Sequence, residues 1–104
     1  MSKRNRLNLQ IPQTAHSVTL SIEVPAGIYK NGQQGVSIQF AGQPAQHHAL
    51  LAGRQDITIS VPASAQGQKR PIVIIVDASF VPAKLGMNND TTEYTVFLRS
   101  VAFS

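Results

Sequence analysis

Between Ser17 and Val24 the chain alternates strictly, with Val18, Leu20, Ile22 and Val24 apolar and Ser17, Thr19, Ser21 and Glu23 polar. Successive side chains of a strand point to opposite faces, so this run predicts a β-strand with one dry face and one wet one. The same period recurs at Leu7, Leu9 and Ile11, at Val36, Ile38 and Phe40, and at Ile57, Ile59 and Val61. After Pro71 come Ile72, Val73, Ile74, Ile75 and Val76, all β-branched. An unbroken apolar run of this kind predicts a central strand covered on both faces. Residues 93–103 form a last long strand, with Tyr94, Val96 and Leu98 on one side and Phe97 on the other. Carrying the alternation past Ser100 would set Val101 and Phe103 with Phe97, which points to a bulge near Arg99.

Turn residues separate these runs: Pro25 and Gly27, Asn31 and Gly32, Gly42 and Pro44, and the stretch 62–67. Residues 47–51 read as either a short strand or a loop. The one helical signal is a single turn at residues 82–86, opened by Pro82 and closed by Gly86. The spacing predicts an all-β chain, an antiparallel β-sandwich of jelly-roll type with about six to eight strands and one short helical turn.

Length allows one domain, since the chain has 104 residues. Hydrophobic residues make up 42% and charged ones 13%, which suits a globular sheet protein rather than a disordered one. The net charge of +4 is uneven, because Lys3, Arg4 and Arg6 fall in the opening segment. Residues 1–6 therefore read as a basic flexible N-terminal tail and 7–104 as the β-domain. The rest of the chain carries six basic side chains against five acidic ones, and only Lys69 and Arg70 adjoin. That is no clustered footprint for phosphates, so no nucleic-acid partner is expected. The basic start is not followed by an apolar stretch long enough for a signal peptide or membrane span. The chain has no cysteine, which rules out disulfides and thiolate metal sites and fits a cytoplasmic location.

Residues that could carry chemistry are few. His47 and His48 adjoin, so on a regular strand they face opposite ways and cannot grip one metal; His16 could join only through folding. Asn88, Asn89 and Asp90, with Asp77, offer oxygen ligands for calcium, but a turn whose side chains satisfy its own backbone fits them better. No nucleophile elbow, paired carboxylates or glycine-rich phosphate loop is present, so neither an enzyme nor a bound metal or cofactor is expected. Among the aromatics, Phe40, Tyr94, Phe97 and Phe103 read as strand packing and Phe80 as a buried anchor of its loop. Tyr29, beside Lys30 and Asn31, offers an exposed ring next to a cation and an amide. A sugar site uses that combination, so Tyr29, Lys30, Asn31, His47 and His48 are the candidate carbohydrate-binding residues, placed in loops at the ends of the sandwich.

From Asp77 onward the chain passes through Phe80, Pro82, Leu85, Gly86 and Asp90 into its last strand. This order resembles the closing motif of small C-terminal β-domains fused to bacterial glycosyltransferases and polysaccharide-biosynthesis proteins. The likeness is close over about 25 residues and looser over about 70. Those domains place arginine two residues after the aspartate, where this chain has Thr92. The resemblance implies a non-catalytic accessory module of surface-polysaccharide assembly that binds glycan or docks to a glycosyltransferase domain. The alternative is a structural protein that self-associates through its sheets into a homo-oligomer.

Overall fold

The computed structural model describes every residue except Lys30, Asn31, Gly32 and Ala41. Among the described residues seven strands follow one another: β1 (Arg4–Gln10), β2 (Ser17–Val24), β3 (Gln33–Phe40), β4 (Gln46–Leu51), β5 (Gly53–Ser60), β6 (Lys69–Val76) and β7 (Phe97–Phe103). One sheet has the order β1-β6-β3-β4 and the other β5-β2-β7, and every pairing is antiparallel. Only β3 and β4 are joined within a sheet; each other connection crosses to the opposite sheet, as in a jelly roll. The molecule is elongated, 47 × 23 × 21 Å.

The alternation read from the sequence is what closes the sandwich. Val18, Leu20, Ile22 and Val24 of β2 and Ile57 and Ile59 of β5 meet Val36, Ile38 and Phe40 of β3 and Ile72, Ile74 and Val76 of β6 in one core. Hydroxyl and charged groups take the wet face of the three-stranded sheet, where the Thr19 and Thr58 hydroxyls lie 3.0 Å apart. The bulge falls at Arg99: β2 residues Ser21 and Ile22 oppose Ser100 and Leu98, so Arg99 has no partner in the ladder. That extra residue lets Leu98, Val101 and Phe103 all pack on the core, and it turns the Arg99 guanidinium to Glu23 at 2.9 Å.

Two expectations are corrected. β6 is central, between β1 and β3, but it is covered on one face only: Ile75 is 41% exposed. Arg4 and Arg6 lie opposite Ile75 and Val73 in the register, so their aliphatic stems flank the outward apolar side chains. Those arginines also correct the opening segment, because β1 begins at Arg4 and Met1 packs against the core. Residues 47–51, read as either a short strand or a loop, belong to a strand, β4. The helical turn lies at Pro82–Leu85 as a 3-10 turn ended by a left-handed Gly86 (φ 73°), and a second one occupies Ala63–Ala65.

No helix among the described residues is long and apolar enough to cross a membrane.

Candidate functional site

The segment 77–96 leaves β6 in one sheet and enters β7 in the other. Its two ends are tied by backbone groups. Asp77 N–H donates to the Gly35 carbonyl at 2.9 Å, and Phe80 and Tyr94 exchange a pair of hydrogen bonds at 2.8 Å each. Between these ties the Gln34 side chain takes the place of a strand. Its Oε1 accepts from Ala78 N–H at 3.1 Å and Gly35 N–H at 3.0 Å, while Nε2 donates to the Ala78 carbonyl at 2.9 Å.

Beyond the Pro82–Leu85 turn the chain is held by its own side chains. Asn88 Oδ1 accepts from Asp90 N–H at 2.8 Å, and Asp90 Oδ1 accepts from Thr92 N–H at 2.9 Å. These Asx contacts are the self-satisfying turn that the residues Asn88 to Asp90 imply. The backbone carbonyl of Asp90 in turn accepts from Ala83 N–H at 2.9 Å, docking the turn on the 3-10 segment.

The result is a cleft of about 320 Å³ lined by Phe80, Pro82, Asn88, Asp90, Tyr94 and Phe97. Its rings form a chain. Phe80 and Tyr94 have centroids 5.7 Å apart, Tyr94 and Phe97 6.4 Å, and the planes tilt by 31° and 45°. Arg99 lies 5.0 Å from the Phe97 ring centre, and Tyr29 meets Phe80 edge-on at 6.0 Å. With Tyr29, four of the chain's six aromatics gather in this one place, so its apolar ring surface is concentrated here.

The polar groups of the cleft are coupled. The Tyr94 hydroxyl donates to Asp90 Oδ2 at 2.6 Å. That bond, helped by Thr92 N–H, holds the Asp90 carboxyl below the usual carboxylate range, and the same bond raises the Tyr94 phenol. Burial raises the Tyr29 phenol, whose hydroxyl donates to the Thr95 carbonyl. These are the only two tyrosines in the chain. A raised folded pKa keeps the phenol protonated longer, so its contribution to stability is lost as pH rises through the folded value. Alkaline titration followed at 295 nm should accordingly show both tyrosines ionising above the ordinary phenol range. Asp90→Asn should return one of them toward that range; an unchanged curve would mean that Tyr94 and Asp90 are not bonded in solution.

The residues singled out from the sequence do not converge on this cleft. Tyr29 meets Phe80 edge-on and spends its hydroxyl on Thr95. Lys30 and Asn31 lie outside the described residues. His47 and His48 sit on β4 rather than in a loop, facing opposite ways. His47 Nε2 lies 3.0 Å from Asp77 Oδ2 on the outer face of the four-stranded sheet. His48 Nε2 is buried without a hydrogen-bond partner. The His47 pair borders a second depression of about 290 Å³ with Gln33, Gly35 and Ala49. Gly35 makes the pair possible, because a Cβ there would stand 2.0 Å from Asp77 Oδ2 and 2.7 Å from His47 Nε2.

Phe80 is half-buried and lines the cleft, which corrects its reading as a buried anchor. Tyr94 lies outside β7 and is half-exposed, so it is not a strand residue packed in the core. The missed signal was the closeness of Phe80, Tyr94 and Phe97 to a turn built from Asn88 and Asp90. Among the described residues, no three His, Cys, Asp or Glu side chains come together as metal ligands.

Comparison of the chain with known protein families, with curated proteins and with solved structures finds no match.

Proposed function

We propose that this domain is a non-catalytic glycan-binding module of bacterial surface-polysaccharide assembly, and that the cleft between Phe80 and Phe97 is its sugar site. The observation that carries the reading is the run of half-buried rings beside an oriented carboxylate and a carboxamide. Ring faces stack on the C–H groups of a pyranose, while Asp90 and Asn88 meet its hydroxyls. Among the described residues the cleft is lined by a single carboxylate, and glycoside hydrolysis ordinarily needs two, which supports binding without turnover. The likeness of residues 77–101 to domains attached to glycosyltransferases supports the biological setting.

A shallow cleft without tryptophan should bind weakly, in the high micromolar to millimolar range, about −4 to −6 kcal/mol. Calorimetric titration with bacterial polysaccharide fragments tests this. Tyr94→Ala and Phe97→Ala should each abolish measurable heat while leaving the far-ultraviolet spectrum intact. Unchanged binding by both variants would remove the cleft as the site.

A second reading, self-association, is favoured by one edge. The β1 and β5 edges carry charged side chains and β7 carries the bulge, whereas β4 has no Asp, Glu, Lys, Arg, proline or bulge. Its end residue Leu51 is 61% exposed. Such an edge accepts another strand readily. A concentration-dependent dimer in light scattering, dispersed by Gln46→Lys with Ala49→Lys, would support that reading; a monomer at all concentrations would end it.

A further inference from the structure

We infer that the sugar preferred by the cleft carries a free ammonium group, as in a de-acetylated hexosamine, rather than an N-acetyl or carboxylate substituent. The inference rests on the glycan-binding reading and names the class of sugar within it.

Asp90 is the only formally charged residue among the described residues that line the cleft. The Tyr94 hydroxyl hydrogen is spent on Asp90 Oδ2, and Thr92 N–H takes one lone pair of Oδ1. The Thr92 hydroxyl is a further donor that reaches both Asp90 and the Tyr94 oxygen, so the acceptors left for a ligand are the remaining carboxylate lone pairs. Asn88 has its Oδ1 engaged by Asp90 N–H, so among the described lining residues its Nδ2 is the one side-chain donor that remains. Among the described residues the site is therefore poor in free donors, and its open acceptors belong to a negative carboxylate.

The rings add to that bias, since the face of an aromatic ring attracts cations. Phe97 already holds one, the Arg99 guanidinium 5.0 Å from its centre. That guanidinium is itself neutralised by Glu23 at 2.9 Å, so it does not cancel the Asp90 charge. An ammonium between Asp90 and the rings would have three donors for these acceptors. An N-acetyl group brings one N–H and a carbonyl with little to receive it, and a uronate brings repulsion.

The test uses three oligosaccharides of equal length: β-1,4-glucosamine, its fully N-acetylated counterpart, and a galacturonate. The purified chain should bind the amine form roughly fivefold or more tightly than the N-acetyl form, the scale of one exposed ion pair with a cation–π contact. The uronate should bind least. The advantage of the amine should shrink between about 0.05 M and about 0.5 M salt, a measurement on the wild-type chain that needs no variant. Asp90→Asn should bring the amine and N-acetyl forms level. Equal or tighter binding of the N-acetyl or uronate form would overturn the inference and leave the sugar site standing. Binding of none of the three at millimolar concentration would remove both.

Discussion

Phe40→Ala should be the most damaging single substitution in the core, costing about 3–5 kcal/mol. The ring is 2% exposed and heads the fully buried side chains by size. It closes β3 opposite Ile72 of β6 and joins a core to which both sheets contribute. None of the ring contacts that join the other aromatics reaches it, so no neighbouring ring stands ready to fill the space. Urea denaturation should show a lower midpoint with an unchanged slope, the mark of lost stability without a change in surface exposed. A loss below about 1 kcal/mol would mean that the sheets close over the cavity, against a core closely packed around this ring.

Gln34→Ala should cost about 2–4 kcal/mol, although the residue is polar and its bonds go mainly to backbone. Gln34 is 4% exposed, and its amide satisfies Gly35 N–H, Ala78 N–H and the Ala78 carbonyl. Alanine leaves all three without partners, and an unpaired buried group costs more than the bond it lost was worth. The damage should be local first. Ala78 roots the segment that carries Phe80, Asp90 and Tyr94, so hydrogen exchange at Ala78 and Phe80 should speed up more than at Ile74 in mid-β6. Sugar binding should weaken with it. A loss under about 0.5 kcal/mol with unchanged exchange would show that water replaces the amide.

The fold was largely legible in the sequence because its cause is local. Period-two alternation in β2, β3 and β5 places one set of side chains inside whatever the partner strand is, and the misfit beyond Ser100 marked the bulge at Arg99. The β6 run misled for a physical reason. Five β-branched residues imply cover on both faces, but long arginine side chains from β1 flank the outward pair. The site was less legible because proximity makes it. Tyr94 reads as a strand residue until its bridge to Phe80, fourteen positions upstream, turns its ring beside that one. The Gln34 contacts with Ala78 span 44 positions and have no signature of pattern at all. The Asn88–Asp90 turn was readable as a turn, and what escaped was that its carboxylate faces a tyrosine hydroxyl.

Chemical-shift mapping of the labelled chain against amine, N-acetyl and uronate oligosaccharides locates the bound sugar residue by residue. The proposed site predicts shifts in the rings and amides of Phe80, Asn88, Asp90, Tyr94 and Phe97, largest with the amine sugar and absent on β4. Shifts confined to His47 and the outer face of the four-stranded sheet, or none with any sugar at millimolar concentration, would contradict it.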